Sequence, residues 1–404
     1  MTQKKIKVAI NGAGRIGRAF YKIAASIDQM EIVAINDLGD IENIAYLMKF
    51  DSAYGKSGFS VDVCDDKKSL MLGGKKVHFF SEKEPKNLPW KDLGIDVVVE
   101  STGFFTSYEK SKGHLEAGAK RVVISAPAKD EVGSAFQTPT ILIGINEGDF
   151  VKAPVTSNAS CTTNASSPVM AILDEVIGIE KAILSTVHGY TASQSLVDSP
   201  SKKDWKEGRA AGQNIVPTST GAALAVAKAL PQLEGKFDGI SMRVPVIAGS
   251  IADITFIAKR PTSVEEVNQI LLTASQDDRW RDVFSCTNDP LVSSDIVGSI
   301  FASIADLNLT RVVDRTLVKV CAWYDNEIGY THALVMHVLK AAQVVIEEHS
   351  EFSKNLIEAH SDEETQTQSP VSVAPEPQVA PIVVEKEEKE ADEDMGPPPI
   401  PRYV

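Results

Sequence analysis

Cysteine is scarce: Cys64, Cys161, Cys286 and Cys321 are the only four in 404 residues. Their spacing fits neither a disulfide framework nor a metal-ligand set, so a stapled secreted scaffold is excluded and no metal is expected. Long apolar runs are missing too; none approaches the roughly 18 residues that span a bilayer, so no membrane partner is expected. Met1 to Lys7 leads straight into strand-like sequence without a signal-peptide core, which places the protein in the cytoplasm by expectation. Positive charge falls short of negative, with 41 Lys and Arg against 55 Asp and Glu for a net charge of −14. That balance argues against general nucleic-acid affinity. What remains is ordinary for a soluble globular chain, at 43% hydrophobic and 24% charged residues, and long enough for about two domains.

Much of the negative charge sits at one end. From Glu351 to Val404 there are 13 acidic and 4 basic residues, −9 of the total −14, together with 8 of the 20 prolines. Such composition buries too little apolar surface to offset its ordering entropy, so residues 350–404 are expected to be a disordered acidic, proline-rich tail. It is either a solvating tail or an interaction tail whose partner is unknown. Pro397-Pro398-Pro399-Ile400-Pro401 has the form of a polyproline II ligand.

At the other end, Ile6 to Ile10 reads as a strand. It runs into Asn11-Gly12-Ala13-Gly14-Arg15-Ile16-Gly17-Arg18 and then a helical pattern through Ile27. Gly12, Gly14 and Gly17 form G-x-G-x-x-G, which permits a tight turn, close approach to a pyrophosphate and close helix–strand packing. A second strand, Glu31 to Ile35, ends at Asp37, where a carboxylate meets an adenosine ribose and repels a 2′-phosphate. NAD is therefore the expected cofactor. Asp96 to Glu100, Arg121 to Ser125 and Ile141 to Ile145 continue the series as apolar strands, and Ser107 to Ala117 reads as a helix. Phe59 to Val63 and Lys76 to Phe80 suggest an antiparallel excursion around Gly73-Gly74.

The centre of the chain is Ser157-Asn158-Ala159-Ser160-Cys161-Thr162-Thr163-Asn164, ahead of a helical pattern from Ser167 to Ile177. A cysteine at a helix N-terminus meets free amide donors and the favourable dipole end, which promote the nucleophilic thiolate. The competing reading is a small buried cysteine in a polar turn. Beyond it, Ala182 to His188 reads as a strand and Gly189 to Gln213 as a long polar loop, a length usually functional or disordered. Thr220-Gly221 opens an alanine-rich helix suited to an anion. Further strands are expected at Ile240 to Val246, Ala252 to Ala258 and Thr316 to Trp323, with helices at Val264 to Thr273 and Tyr330 to Ile346. The fold class is α/β: a Rossmann-type doubly wound dinucleotide-binding domain, plus an α+β catalytic domain with a mostly antiparallel sheet. The expected division is 1–160 completed by a returning helix at 327–348, then 161–326, then the tail.

The glycine-rich run, the cysteine run and Trp323-Tyr324-Asp325-Asn326-Glu327-Ile328-Gly329-Tyr330 together resemble phosphorylating glyceraldehyde-3-phosphate dehydrogenases, from about Lys5 to about Ile346. The resemblance implies that Cys161 is the nucleophile and His188 its base. It implies cofactor contacts at Arg15, Ile16, Asp37, Ser125 and Asn326. It implies substrate-phosphate and inorganic-phosphate contacts at Ser160, Thr162, Thr191, Thr220, Gly221 and Arg243, with Arg209 in the long loop. A histidine titrating near neutrality would suit both proton abstraction and donation. A homotetramer is implied as well. The chain departs from the family at Ala165, where a second cysteine is usual, and at Val246-Ile247-Ala248-Gly249. Erythrose-4-phosphate dehydrogenase, or a scaffold acting through the tail, are the alternative functions.

Overall fold

Six short apolar runs, most of them ending at a polar residue, make the parallel part of an eight-stranded sheet. A computed structural model describes residues 5–202 and 204–365, with side-chain environments described through residue 346. In spatial order the strands are Val155–Ser157, Arg121–Ile124, Val97–Glu100, Ile6–Asn11, Met30–Asn36, Lys75–Phe80, Ser69–Leu72 and Val61–Val63. The first six pair in parallel and the last two antiparallel. Val97, Val98 and Val99 are all fully buried, as strands covered on both faces must be. Strand order reverses at Ile6–Asn11, whose neighbours on either side follow it in sequence. Ligands bind open α/β sheets at the carboxyl side of such a switch.

The second sheet has seven strands, in the order Val216–Ser219, Phe237–Val244, Ile179–Gly189, Ser250–Ala258, Leu317–Tyr324, Ser303–Val313 and Phe284–Thr287. Four of its six pairings are antiparallel, so the expected α/β class and mostly antiparallel second sheet are observed. Burial alternates strictly along Ser250–Ala258, the signature of a sheet covered on one face. The helices Cys161–Val176 and Val264–Ala274 lie against that covered face.

Several expectations need correction. Ile141 to Ile145 is apolar, with Ile141, Leu142 and Ile143 buried, but is not a strand. Asn146 takes over its backbone, accepting from Leu142 N at 2.9 Å and donating to Thr140 O at 2.9 Å, and Gly144 turns the chain with φ of 80°. The sheet is extended by Val155–Ser157 instead. The excursion around Gly73-Gly74 pairs Ser69–Leu72, not Phe59 to Val63, with Lys75–Phe80. Phe284–Thr287 and Ser303–Val313 form strands that no alternation announces. The C-terminal helix, Ile328–Thr365, passes beyond residue 348, where the sequence reading ends it. No Gly or Pro occurs between Gly329 and Pro370, and Glu, Lys, Leu and Ala are good helix formers, so acidic density alone does not stop it. Residues 350–365 are thus helical, and the rest of the expected tail lies outside the described residues.

Candidate active site

Two constellations stand at the ends of these strands. The first is a cavity of about 520 Å³ lined by Asn11, Gly12, Gly14, Asn36, Asp37, Leu38, Ser101, Thr102, Phe104 and Phe105 among others. Gly12 has φ of 99°, and a Cβ there would lie 2.8 Å from Thr102 N; one on Gly17 would strike Gly12 O at 1.9 Å. A Cβ on Gly14 would meet nothing within 4 Å. Two glycines are therefore needed for packing, while the third leaves room at the start of the helix Arg15–Ala24. The amides of Arg15, Ile16 and Gly17 have no intrahelical acceptor, so a pyrophosphate fits there. The Asp37 carboxylate accepts from Ala13 N and Gly39 N, each at 2.7 Å. Leu38 and Phe104, both exposed, give the cavity apolar walls suited to a planar ring. The residues present fit a dinucleotide.

Under that cavity lies a polar cluster to which the sequence reading gives no role. Glu100, almost fully buried, accepts from Asn11 Nδ2 at 2.5 Å, from Thr102 N at 2.8 Å and from the Thr102 hydroxyl. His114 Nε2 stands 3.2 Å from the same carboxylate, and Trp90 Nε1 donates to His114 Nδ1 at 3.0 Å. Asn36 donates to Asn11 Oδ1 at 2.7 Å. The only signal in the sequence is a glutamate closing a run of valines, since a carboxylate buried there must find donors.

Among the expected cofactor contacts, Arg15 turns its guanidinium away into ion pairs with Asp51 at 2.9 Å and with Glu327. Ile16 packs on the core. Ser125 ends the Arg121–Ile124 strand, donating from N to Glu100 O at 2.9 Å. Asn326, buried, accepts through Oδ1 from Gly249 N and the Ser250 hydroxyl, both at 3.1 Å. Its own NH₂ has no protein acceptor among the described residues. Because Arg15 bridges to Glu327, the glycine-rich loop and the Asp325–Glu327 segment are tied together.

The second constellation surrounds Cys161, the first residue of the helix Cys161–Val176. Ser160 is its N-cap, accepting from Thr163 N at 3.1 Å. Cys161 Sγ lies 3.3 Å from His188 Nε2. On the far side of the ring, His188 Nδ1 lies 2.6 Å from Gly189 O. A carbonyl only accepts, so Nδ1 carries the proton and Nε2 is left to accept from the thiol. Tyr324 OH sits 2.9 Å from Thr162 Oγ1 and 2.8 Å from Thr186 Oγ1, with its ring edge-on to His188. A buried tyrosine needs a partner for its hydroxyl, which is the one sequence cue to its place here.

Electrostatics depart from the simple helix-dipole expectation. Burial pushes the Cys161 thiol up, and the nearby Arg243 cation and Thr162 donors offset this only in part. Burial and Arg243 together hold His188 down to about 3. Burial thus disfavours the charged form of each partner, against the expectation of a thiolate beside a histidine titrating near neutrality. The 3.3 Å contact gives the thiol proton a direct route to Nε2.

Arg243 faces His188 in register across adjacent strands. Its Nε and one terminal nitrogen are buried without a partner, as are Thr218 Oγ1, Ser241 Oγ and Gln194 Nε2. Buried donors without acceptors are rare, and a fork of guanidinium donors is complementary to a phosphate. Thr191 bonds only to Ser193 and Gln194, and Thr220 Oγ1 accepts from Ala222 N at 3.2 Å at the start of the helix Ala222–Ala229. Gly221, exposed, caps that helix. Ser160 and Thr162 already spend their hydroxyls on the cap and on Tyr324. Arg209 is exposed and pairs with Asp198 at 2.8 Å, so nothing recorded joins it to the cluster. The Val246–Gly249 segment packs against the residues that follow His188, where Val246 O accepts from Tyr190 N at 3.1 Å.

Two family models match the chain: "Glyceraldehyde 3-phosphate dehydrogenase, NAD binding domain" over residues 6–108 and "Glyceraldehyde 3-phosphate dehydrogenase, C-terminal domain" over 160–326. Similar curated proteins include glyceraldehyde-3-phosphate dehydrogenase B of Aspergillus oryzae, 43% identical over 81% of this chain and 96% of its own length. The glyceraldehyde-3-phosphate dehydrogenases of Mycobacterium avium (44%, over 82% and 96%) and Clostridium acetobutylicum (43%, over 84% and 99%) are similar to the same degree.

Proposed function

The chain belongs to the glyceraldehyde-3-phosphate dehydrogenase family, and on that premise we propose how its residues divide the work of oxidising the aldehyde with NAD. Cys161 is the nucleophile and His188 the base. The thiol proton moves to His188 Nε2 as sulfur adds to the aldehyde carbon, giving a thiohemiacetal on Cys161. His188 first gives that proton to the hemithioacetal oxygen and then takes it back as the hydrogen on carbon departs with its electron pair, as hydride, which leaves a thioester. NAD, when bound, supplies the two-electron acceptor; Gly12, Gly14, Gly17, Asp37 and the amides of Arg15 and Ile16 would hold its adenosine diphosphate half, with Asn326 and Ser125 toward the nicotinamide. Inorganic phosphate attacks the thioester carbon, breaks the C–S bond and leaves as acyl phosphate, restoring the thiol.

The observation that supports this reading is the unpartnered buried guanidinium of Arg243 beside the Cys161–His188 pair, among the described residues. Arg243, Thr191, Thr220 and Gly221 are assigned to the two phosphates, with Ser160 and Thr162 acting chiefly through main-chain amides. Arg209 joins them only if its loop rearranges. The proposal extends to a cytoplasmic homotetramer. The loop of 190–215 exposes Leu196, Val197, Trp205 and Ile215, an apolar surface suited to a neighbouring copy.

Reduction of NAD with glyceraldehyde 3-phosphate, with and without phosphate, tests the assignment. Turnover should collapse without phosphate, and Cys161→Ser should lower it at least about a thousandfold. Turnover indifferent to phosphate would point to water as the acceptor, as in an erythrose-4-phosphate dehydrogenase. Near-native activity of the serine variant would remove the nucleophile assignment.

A further inference from the structure

Ala159 is the weak point of the turn that delivers Cys161. It has φ of 55° without being glycine, and it is fully buried, so it stays in the left-handed region only because its surroundings over-determine it. Three bonds hold it directly or through its neighbour: Ala159 N donates to Ser157 Oγ at 3.0 Å, Tyr330 OH donates to Ala159 O at 3.1 Å, and Asn158 N donates to Ile124 O at 3.0 Å. Asn164 Nδ2, inside the nucleophile's own helix, donates to Asn158 O at 2.7 Å. Asn158 is thus the joint between the sheet and the helix that begins with Cys161.

What orients the Asn158 side chain is a histidine on another element. His337, fully buried on the helix Ile328–Thr365, places Nδ1 3.2 Å from Asn158 Oδ1 and Nε2 2.8 Å from Thr156 Oγ1. Thr156 and Asn158 are two apart in an extended segment, so their side chains share a face, and one imidazole spans both. The Asn158 oxygen can only accept, so Nδ1 carries the proton and Nε2 accepts from the Thr156 hydroxyl. Phe150 packs edge-on against the ring at 4.7 Å. Asn158 Nδ2 is meanwhile buried with no acceptor. His337 is thus the partner of the Asn158 oxygen, while the amide also lies against the Tyr330 hydroxyl, and losing the histidine would leave that buried oxygen unsatisfied beside the left-handed Ala159.

We propose that His337 is a positioning residue for the reaction: through Asn158 it fixes the Asn158–Ala159 turn and hence the line of attack of the Cys161 sulfur. It touches neither substrate nor cofactor. The inference rests on Cys161 being the nucleophile, and misplacing a reacting atom by about 1 Å can cost roughly a hundredfold.

The test uses the full chain with His337→Leu, which keeps bulk but loses both bonds, and His337→Asn, which keeps a donor for Asn158. Steady-state constants are measured alongside the rate at which iodoacetamide alkylates Cys161, read on the Cys161 peptide by mass spectrometry. His337→Leu should lower both kcat and the alkylation rate roughly tenfold with the KM for NAD within about twofold, and His337→Asn should recover most of the loss. A folded His337→Leu protein with native kcat and native alkylation overturns the proposal, as does a loss matched by an equal rise in the KM for NAD. Should His337→Leu not fold, Thr156→Val carries the test, with about a threefold loss of both rates expected and native rates overturning it. Cys161→Ser in parallel separates the two ideas. If it stays active, the nucleophile assignment fails; if it is inactive while His337→Leu is native, only the positioning role fails.

Discussion

The two ends of the site treat their polar groups in opposite ways. Beneath the glycine-rich loop almost every buried polar atom is paired within the protein: Glu100 with Asn11 and Thr102, His114 with Trp90, Asp37 with two backbone amides. Beside Cys161 and His188 the guanidinium of Arg243 is buried with two nitrogens unpaired among the described residues, and Thr218 and Ser241, opposite each other on the adjoining strands, leave their hydroxyls unpaired too. The first region is a finished cradle whose shape exists before any ligand. The second stores an unmet demand for an anion, which costs stability in the free protein and is repaid on binding. A dinucleotide received whole into a preformed shape suits the first arrangement. Phosphates that enter and leave each turnover suit the second.

The largest effect should come from Arg243→Gln, which removes that demand. Two charge-assisted hydrogen bonds to phosphate are lost, so kcat/KM for the aldehyde should fall about 10²-fold or more while NAD affinity stays native. The variant should melt no lower than the parent, and phosphate should raise the melting temperature of the parent alone. If NAD binding weakened in step with kcat/KM, the two ends would not be independent and the comparison would break.

Legibility in the sequence follows the same division. Gly12, Gly14, Gly17 and Asp37 are readable because their geometry is local: one turn, one helix start and the next strand end. The place of Cys161 at a helix start is readable because it too is local. What surrounds it is not. Thr162 meets Tyr324, and Thr156 meets His337, through contacts some 160 and 180 residues apart in sequence. Ile141 to Ile145 shows the opposite failure: an apolar run that looks like a strand is turned by the Asn146 side chain. In the second sheet, Phe284–Thr287 and Ser303–Val313 carry mixed patterns, since their burial comes from helices that pack on them only after folding.

On the finished side the expected effect is smaller. Asp37→Ala removes the acceptor for Ala13 N and Gly39 N, and with it the carboxylate facing the ribose. NAD should bind about tenfold more weakly, and the preference for NAD over NADP should shrink by a similar factor. Titration of the free protein with each nucleotide measures both. An unchanged preference would mean that cofactor choice is set by Glu82 or Glu84, which also line the cavity.

The smallest effect is thermodynamic and touches the two buried histidines behind the nucleophile. His188 and His337 are each held down to about 3, mainly by burial, with Arg243 adding to the effect on His188. In the unfolded chain both gain a proton below about 6.5, whereas in the fold neither does until far lower. Between those limits the unfolded state binds more protons, so stability falls as pH falls, by about 1.4 kcal/mol per pH unit for each histidine, and neither contributes a slope above about 6.5. Cys161, Tyr324, Arg243 and the Gly189 carbonyl face His188; Thr156, Asn158, Phe150 and the Ile141 backbone face His337, and the two backbone groups offset the effect of burial only in part. Urea midpoints for the parent and for His337→Asn between about pH 6 and 4.5 isolate one of the two terms, because carboxylate contributions cancel in the difference. The variant's slope should be shallower by about 1.4 kcal/mol per pH unit. An identical slope would mean that His337 is protonated in the fold over that range, which would leave Nδ1–H on Asn158 and turn the Thr156 bond round so that its hydroxyl accepts.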